Sequence, residues 1–401
     1  MILHKQDVPI IIVSDFGYVE GGASAVAVKT ALVLASAGRK VVFFCGQGPV
    51  CTELVNSGIE VICLGMHSIT SNPSRVGAIC NGFWNGNAYR VFRALLGRGD
   101  LKGAIVHIHT WTKVMSASVF AAATKNGNPL MLTVHDYFSA CPNGGFYDYS
   151  EKCICDRVPL SVSCVSCNCD KRSYAQKLWR VMRQYIQDRW VRNNRHIHYA
   201  FVSDYCRDIL APYLHSAFAY RVLRNPVDHI RLDESVISYA RDSFLYIGRL
   251  SPEKGADLFC SAVETIGAHG IVIGDGEMLP ELKEKYSGII EFTGWLEPDE
   301  MWSHGVARAI AVVQPSRWHE TALLTPVQLL ELGIPCIVPD RCAARDYVKE
   351  GVNGLLFKSG DVSDLERAMR KMLEKPICPE PVAVPDRRYL MDLSAMYEEI
   401  A

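Results

Sequence analysis

Short apolar runs rich in β-branched residues alternate with segments of helical periodicity along most of the chain. In the first half, the pattern predicts strands at residues 8–13, 40–44, 60–64, 105–109, 130–135 and 198–202. Helical segments are predicted between these strands, for example at 23–37 and 115–125. Because strands that alternate with helices usually pair in parallel, the first half is predicted to be a doubly wound α/β domain.

A second series of strands follows a polar stretch at residues 228–242. The predicted strands lie at residues 244–247, 271–273, 290–293, 309–313, 336–338 and 355–357. A proline-rich stretch at 376–385 predicts an extended linker, and residues 386–400 predict a last helix that crosses back to the first domain. The predicted parts of the chain are an N-terminal domain, a C-terminal domain and the returning segment, at residues 1–225, 226–380 and 381–401.

Length and charge limit the classes of protein to which the chain can belong. The 401 residues suit two domains, and 42 basic against 43 acidic side chains leave a formal charge of -1. This balance argues against a disordered chain and against a nucleic-acid partner bound through charge. No apolar stretch reaches the roughly 18 residues of a membrane span, and residues 1–7 lack a secretory pattern. The cytoplasm is the predicted compartment.

Neither common phosphate-binding motif is present. The Gly-x-Gly-x-x-Gly pattern fails because Cys51 and Leu279 replace the third glycine, and no Gly-x-x-x-x-Gly-Lys-Ser/Thr occurs. Gly21 and Gly22 do lie between the first strand and a long helix. Bare backbone amides and the helix dipole favour an anion there, although a glycine pair is as often plain turn chemistry.

Two later loops also carry candidate chemistry. After the strand at 244–247, Arg249 and Lys254 lie five positions apart in a loop that can bring both charges to a diphosphate. The alternative is an ordinary solvated loop. After the strand at 309–313, Glu320 precedes a predicted helix, and Gln328 follows it after seven intervening residues.

In order and spacing, six pieces of the chain resemble the retaining glycosyltransferases of family 4. They are Gly21–Gly22, the Gly-Arg-x5-Gly loop at 248–255, the Gly-Asp-Gly turn at 274–276, and the segments 292–295, 315–320 and 333–335. The resemblance implies the GT-B fold, in which two Rossmann-like doubly wound domains face a cleft, here with a cysteine-rich insert in the first domain.

The resemblance also implies an activity. It predicts a hexosyltransferase that moves a sugar from a nucleotide diphosphate sugar to a glycan or lipid-linked acceptor. Because many members of the family act in bacterial surface polysaccharide synthesis, the same role is expected for this protein. Two alternatives stay open: a nucleotide-sugar hydrolase or epimerase of the same fold, and a non-catalytic metal-knuckle protein, for which Gln328 is the one hint.

Four residues are assigned catalytic roles by the resemblance. Arg249 and Lys254 match the pair that neutralises the donor diphosphate, so no catalytic divalent metal is expected. No Asp-x-Asp metal clamp occurs in the sequence. Glu320 matches a glutamate that contacts the donor sugar, and His135 matches a histidine that hydrogen-bonds this sugar or assists the acceptor. A purely structural histidine is the alternative for His135.

Donor binding is expected from positions that flank these four residues. Gln328 stands where the family has a ribose-binding glutamate, which leaves Glu331 as a possible substitute on the same helix. Trp295 and Leu296 match the stretch beside the nucleobase, with a core tryptophan as the alternative. The full expected set is Gly21, Gly22, Gly248, Gly274, Trp295, Leu296, Thr321, Ala322, Leu323 and Gln328.

The insert at residues 141–170 concentrates cysteine. Six of the 15 cysteines fall between positions 141 and 169. In a reducing compartment, such clustering favours a metal site, and structural zinc is the leading interpretation, ahead of an iron-sulfur cluster, inert thiols and disulfides. The predicted ligands are Cys153, Cys155, Cys164 and Cys167, with Cys169 and Cys141 as possible replacements.

A basic segment with interleaved aromatic residues follows the insert at 171–195. A basic aromatic helix can lie on an anionic membrane surface or bind a lipid diphosphate acceptor. The competing interpretation is an ordinary helix with one packed face and one solvated face. Peripheral attachment at the inner face of the membrane is therefore a hypothesis.

Overall fold

The computed structural model describes residues 8–215, 218–226, 241–296, 300–301, 305–380 and 388–401. The predicted polar stretch at 228–242, the linker at 376–385 and the start of the last helix lie partly outside these residues, and the N-terminal segment 1–7 lies wholly outside them.

The first half of the chain forms a parallel sheet. The strands are β1 Ile10–Phe16, β2 Val41–Gln47, β3 Glu60–Cys63, β4 Ile105–Ile108, β5 Leu130–Val134, β6 Tyr147–Asp148, β7 Cys153–Ile154, β8 Ile197–Phe201 and β9 Ala219–Val222. Seven of them pair in parallel in the order β3-β2-β1-β4-β5-β8-β9. The other two, β6 and β7, make an antiparallel hairpin inside the insert.

The second half repeats the arrangement with six parallel strands among the described residues. These are β10 Ser243–Ile247, β11 His269–Ile273, β12 Ile290–Gly294, β13 Ala309–Val313, β14 Cys336–Pro339 and β15 Gly354–Phe357. The order is β12-β11-β10-β13-β14-β15. In both sheets the strand order reverses beside the first strand of the domain, and such reversal points open a ligand crevice at the carboxyl ends of the strands.

Helices cover both faces of the two sheets. They are α1 Gly22–Ser36, α2 Thr52–Asn56, α3 Arg75–Phe83, α4 Gly86–Leu96, α5 Ser118–Asn126, α6 Val162–Ser166, α7 Tyr174–Asp188, α8 Asp204–Leu210, α9 Ala256–Ile266, α10 Leu279–Tyr286, α11 Leu324–Glu331, α12 Val362–Glu374 and α13 Tyr389–Ile400. Local chemistry sets many of their ends. The hydroxyls of Ser173 and Ser203 accept backbone hydrogen bonds at the starts of α7 and α8, and left-handed Gly127 ends α5.

The sequence pattern located the strands of both sheets to within a few residues, and the predicted strand at 309–313 coincides with β13. The parallel pairing confirms the α/β prediction. The edge strand β9 was missed because three of its four residues are exposed and give no buried face to detect. The helix in the basic segment is shorter than the segment itself: the basic residues extend over 171–195, whereas α7 ends at Asp188.

The last helix, α13, packs on the N-terminal domain. Leu393 is fully buried in the same hydrophobic cluster as residues of β1 and β2. The hydroxyls of Tyr389 and Tyr397 form hydrogen bonds of 2.6 Å each with Thr30 of α1 and His107 of β4. Helix α13 therefore returns to the first domain after the second, as the sequence predicted.

Truncation of Leu393 tests how much α13 contributes to stability. Leu393→Ala is expected to lower the free energy of unfolding by about 2–5 kcal/mol, because it leaves a cavity beneath the helix. Met391→Ala is the control on the same helix: its side chain is exposed, so a change within about 0.5 kcal/mol is expected. Urea unfolding followed by circular dichroism measures both. Equal losses would mean that α13 is not packed as described.

Candidate active site between the two domains

The carboxyl ends of the two sheets meet at a direct contact between the domains. Thr321, which follows β13, donates its hydroxyl to the backbone oxygen of His135 at 3.0 Å. The hydroxyl of Ser203, which follows β8, donates to the backbone oxygen of Thr321 at 2.6 Å. His135 and Glu320, predicted from opposite halves of the chain, are thus joined through a single intervening residue.

Glu320, which is buried, forms an ion pair with the partly exposed Lys254 at this contact. The Lys254 ammonium donates to Glu320 Oε1 at 2.7 Å, and the Ser316 hydroxyl donates to the same oxygen at 2.7 Å. Burial alone would raise the pKa of Glu320, but the charge of Lys254 and these hydrogen bonds outweigh it and lower the pKa. Glu320 is therefore a carboxylate at neutral pH although only 7% of the residue is exposed.

Glycines let the loops of this site pack backbone against backbone. A Cβ on Gly255, where φ is 70°, would lie 2.0 Å from the backbone oxygen of Pro315. A Cβ on Gly274, where φ is 138°, would lie 2.1 Å from the backbone oxygen of Gly248. The three loops that follow β10, β11 and β13 are therefore held in one layer, and any larger residue at Gly255 or Gly274 would separate them.

Arg317 fixes this layer from the side. Its two terminal nitrogens each donate to one oxygen of Asp257 at 2.7 Å, and Nη1 also donates to the backbone oxygen of Pro252 at 3.1 Å. This bidentate pair connects the loop after β13 to the start of α9. Lys254 and Glu320 are thereby held on loops that are tied to each other.

Arg249 contrasts with Lys254. It is exposed, and the hydroxyl of Tyr246 holds its backbone oxygen at 2.9 Å. Among the described residues, none makes a hydrogen bond or ion pair with its guanidinium group. The structure therefore fixes the backbone of Arg249 and leaves its charge available at the rim of the site.

Gly21 and Gly22 stand at the start of α1 in the opposite domain. The Ser24 hydroxyl accepts hydrogen bonds from the amides of Glu20 and Gly21, at 2.8 Å and 3.0 Å. A Cβ at Gly21 or Gly22 would meet nothing within 4 Å. Protein packing therefore does not require glycine at either position, and the open space is compatible with a ligand that approaches the backbone closely.

A row of histidines leads from the candidate site into the N-terminal domain. His135 Nε2 lies 3.1 Å from His109 Nδ1, and the ring of His107 lies 4.2 Å from that of His109. His107 is held by Tyr397 at 2.6 Å and by Thr133 at 2.7 Å. Burial lowers the pKa of both His107 and His135 to about 3. His135 is consequently a neutral hydrogen-bonding group at physiological pH.

The remaining predicted donor-binding positions lie around this centre. Trp295 is 76% exposed, so the alternative of a core tryptophan is wrong. Leu296 packs partly against a core cluster of the second domain. Leu323 adopts a left-handed conformation, with φ of 52°, immediately before α11, and Gln328 is partly buried on that helix. Thr321 was predicted to bind the donor, but its hydroxyl is used in the contact with His135.

Three neighbours of Glu320 were not predicted from sequence patterns. The Lys254 ammonium lies 5.0 Å from the centre of the Trp318 ring, and His319 forms a buried hydrogen bond with the Tyr205 hydroxyl of α8. Burial lowers the pKa of His319 to about 4. Ser316, Trp318 and His319 all lie in the segment 315–320, in which the sequence analysis assigns a role to Glu320 alone. Their closeness to Glu320 in the sequence is the feature that could have indicated them.

The structure does not support the predicted zinc site. Within the described residues, which include all the insert cysteines, no group of three or more His, Cys, Asp or Glu side chains is arranged to hold a metal ion. Cys153 is exposed, and the thiol of Cys167 donates to Asp148 at 3.2 Å. The predicted set of Cys153, Cys155, Cys164 and Cys167 is thus not gathered around one point.

Cationic side chains stand beside the sulfur atoms instead. The buried Lys177 ammonium lies 3.1 Å from Cys169 Sγ and 3.6 Å from Cys164 Sγ. Arg157 Nη1 lies 3.5 Å from Cys155 Sγ. A positive charge at these distances opposes a second cation, which is the physical reason that the spacing misled. The cysteines are also unpaired, so no disulfide replaces the metal.

The insert packs on the second domain close to Lys254. A Cβ on Gly145 would lie 2.9 Å from the ring of Trp318, which shows how closely that ring approaches. Arg341, which follows β14, forms an ion pair of 2.7 Å with Asp156 of the insert. The cysteine-rich insert is therefore part of the wall of the candidate site.

Comparison with known proteins supports the fold described above. Residues 241–375 match the family model described as Glycosyl transferases group 1. The Anabaena protein HepE, solved with UDP and glucose, has a TM-score of 0.65 at 14% identity, and the alignment covers 98% of each chain. The overall fold is thus the GT-B glycosyltransferase fold, as the sequence predicted. The family match lies within the second domain.

Curated relatives match parts of the chain. The sulfoquinovosyl transferase of Arabidopsis thaliana is 31% identical over 134 residues, which is 32% of this chain and 26% of that protein. The UDP-Gal:alpha-D-GlcNAc-diphosphoundecaprenol alpha-1,3-galactosyltransferase of Escherichia coli is 25% identical over 163 residues, which is 36% of this chain and 41% of that protein. The matches therefore span less than half of either relative.

Removal of Lys254 tests the buried ion pair. Lys254→Met is expected to lower the free energy of unfolding by about 3 kcal/mol at pH 7.5, because it leaves the Glu320 carboxylate buried without its cation. The pH dependence should also invert. In the wild type, the lowered pKa of Glu320 contributes stability that is lost as the pH falls through the folded-state value. In the variant, burial without Lys254 should raise this pKa, so stability should fall as the pH rises from about 5 to 8.

Urea unfolding at several pH values measures both effects. Lys283→Met, at an exposed lysine of α10, is the matched control and should change stability by less than about 0.5 kcal/mol. Parallel pH profiles for Lys254→Met and the wild type would show that Lys254 does not hold the charge of Glu320.

Proposed function

We propose that the protein is a retaining hexosyltransferase of family 4 that transfers a sugar from a nucleotide diphosphate sugar to a glycan or lipid-linked acceptor. The observation that carries this proposal is the Lys254–Glu320 ion pair, which stands at the strand reversal of the second domain and faces His135 of the first. The match of residues 241–375 to group 1 glycosyltransferases supports it.

Arg249 and Lys254 supply positive charge to the donor diphosphate. Charge develops on the leaving phosphate as the glycosidic bond breaks, and fixed cations stabilise the transition state more than the ground state. Arg249 offers an unengaged guanidinium fork, whereas Lys254 is already held by Glu320 at 2.7 Å. In this mechanism the amides near Gly21 and Gly22, at the start of α1, approach the phosphate from the opposite domain.

Glu320 and His135 position the donor sugar. Glu320 is an ionised acceptor of hydrogen bonds, and His135 is a neutral group on the other side of the contact. The geometry suits hydroxyl groups of a sugar, which both donate and accept hydrogen bonds. No side chain is assigned as the base, because the leaving phosphate can take the acceptor proton on the same face of the sugar. Such a step retains the anomeric configuration.

The nucleoside end of the donor is assigned to the rim of the second domain. The exposed ring of Trp295 offers a flat apolar surface for a base, and Gln328 on α11 offers an amide to the ribose. An amide is a weaker acceptor than the glutamate usual in this family.

The acceptor class is proposed from the relatives and from helix α7. The printed name of the Escherichia coli relative includes a diphosphoundecaprenol acceptor. We extend this class, a lipid-linked glycan in bacterial surface polysaccharide synthesis, to the present chain. No helix among the described residues is long and apolar enough to span a membrane.

Replacement of Arg249 tests the proposed activity. A thermal-shift screen against nucleotide sugars identifies the donor, since a ligand at a hundred times its Kd stabilises by about 2.7 kcal/mol. With that donor and a lipid-linked acceptor, Arg249→Ala and Glu320→Gln should each lower kcat by about 100-fold or more. Lys283→Ala is the control and should retain full activity.

The same assay separates the alternatives. Release of free sugar or formation of an epimer without any acceptor-dependent product would indicate a hydrolase or an epimerase. Unchanged transfer by both Arg249→Ala and Glu320→Gln would show that the site is elsewhere.

Helix α7 supports peripheral attachment to the inner face of the cytoplasmic membrane. Five apolar side chains recur on one face of this helix and are between 38% and 59% exposed. They are Tyr174, Leu178, Met182, Tyr185 and Ile186. Exposed Arg172 and Arg189 flank this face, although other cations of the segment are neutralised: Arg180 pairs with Asp170, for example, at 2.7 Å. An apolar stripe bordered by positive charge suits an anionic lipid surface.

Met182→Glu tests this surface. The added negative charge in the centre of the stripe should lower binding to vesicles of phosphatidylglycerol about tenfold or more, measured by flotation. Met391→Glu on α13 is the matched control, since Met391 is also exposed but lies outside the stripe, and binding should not change. No flotation of the wild type, or equal flotation of all three proteins, would remove the membrane assignment.

A further inference from the structure

Arg183 of α7 is a buried cation that no described carboxylate contacts directly. The residue is 6% exposed, and its one hydrogen bond runs from Nη1 to the backbone oxygen of Thr112 at 3.3 Å. No carboxylate in the described part of the chain makes an ion pair with it. A buried charge without a partner is costly, by several kcal/mol in typical cases, so a folded protein rarely retains one without a use.

The free donors of Arg183 lie on one edge of its guanidinium group. Nε and Nη2 are both buried, and neither has a hydrogen-bond partner among the described residues. These two nitrogens form the side of the planar group that binds carboxylate or phosphate through two parallel hydrogen bonds. The unused part of Arg183 is therefore a complete anion-binding fork.

A third buried donor lies one helical turn away. Trp179 Nε1 also lacks a partner, and the Trp179 ring centre is 5.2 Å from the Arg183 guanidinium carbon. On the other side, the ring of Phe138 lies 5.0 Å from the same carbon. A Cβ on Gly82 would lie 2.3 Å from the Trp179 ring, so α3 supports this ring closely. Two aromatic rings thus hold the cation in place.

The two nearest acidic groups are engaged elsewhere. Asp15 accepts the amides of three consecutive residues, Lys113 to Met115, at 2.7 Å, 2.9 Å and 3.1 Å. Asp136 accepts the amide of Phe138 at 3.0 Å. Both carboxylates influence Arg183 electrostatically, but neither hydrogen-bonds to it. Neither carboxylate therefore occupies the fork, which is left for an acceptor from outside the protein.

The position of the fork indicates which substrate brings this acceptor. Thr112 and Phe138 follow β4 and β5, and Asp136 is the neighbour of His135, so Arg183 stands at the same edge of the first sheet as the proposed sugar site. The donor diphosphate is assigned to Arg249 and Lys254 of the other domain. An anion at Arg183 then belongs to the acceptor, and three N–H donors suit a diphosphate, with its four non-bridging oxygens, better than a carboxylate with two.

We propose that Arg183, with Trp179 Nε1, forms a subsite for the phosphate group of a lipid-linked acceptor. The assignment of this phosphate to the acceptor rests on the proposed function. Binding of an anion at Arg183 does not require that the protein transfers a sugar. Binding experiments therefore separate a failure of the subsite from a failure of the proposed activity.

The test measures binding of inorganic phosphate and of farnesyl diphosphate, a short lipid diphosphate, by isothermal titration calorimetry. All proteins carry Arg249→Ala to weaken the donor site. We expect Arg183→Met to weaken both ligands at least tenfold, and Arg183→Lys to give a smaller loss because it keeps the charge without the fork. Lys283→Met removes an exposed charge on α10, away from α7, and should change binding less than twofold.

A stability readout distinguishes a binding role from a structural one. If the uncompensated charge serves a ligand, Arg183→Met should raise the Tm in phosphate-free buffer and abolish the rise in Tm that phosphate causes. A lower Tm with unchanged phosphate binding would overturn the proposal. If the protein binds inorganic phosphate but not farnesyl diphosphate, the assignment to a lipid-linked acceptor is wrong. If Arg183→Met does not fold, unchanged affinity of Arg183→Lys for both ligands would overturn the proposal.

Discussion

The ion pair between Lys254 and the buried Glu320 carboxylate is the interaction on which the rest of the site depends. A carboxylate that is 7% exposed stays charged only if a cation lies against it, and Lys254 does so at 2.7 Å. Two loops from different strands must therefore be held together. Gly255 permits their backbones to touch, and Arg317 ties the second loop to α9. Local conformation, packing and charge in this region all serve one contact.

The same contact organises the junction of the domains. Thr321 follows Glu320 and binds the backbone of His135, so the geometry of the ion pair is transmitted to the N-terminal domain through one hydrogen bond. His135 is in turn held by His109, and the row ends at Tyr397 of α13. Because α13 reaches the first domain from the second, the two domains are linked both at the candidate site and through the packing of α13 against β1 and β2.

Sequence reasoning reached the fold because alternation of apolar runs is a local signal. Strand β13 could be placed to the residue, whereas β9 was missed because its exposed residues carry no such pattern. Spacing also selected Lys254 and Glu320 but not Ser316, whose hydroxyl completes the pair. The cysteines misled for a related reason. Their spacing fits a metal site, but it contains no information about Lys177, which folding places beside Cys169 and Cys164. A local sequence pattern can fit more than one structure, and contacts between residues distant in the sequence determine which structure forms.

Helix α7 is central to the proposed membrane attachment, the proposed lipid-linked acceptor and the proposed phosphate subsite, because its exposed and buried faces differ. Residues such as Met182 and Tyr185 form an exposed apolar stripe, while Arg183 points into the protein between Phe138 and Trp179. An acceptor that is both a lipid and a phosphate ester would need these two features on one element, because its chain must stay at a membrane while its headgroup enters the site. A helix that lies on the surface and carries an inward anion fork meets both needs at once. The basic residues of segment 171–195 thus have different positions in the structure. Exposed arginines lie beside the apolar stripe, and Arg183 lies beneath it.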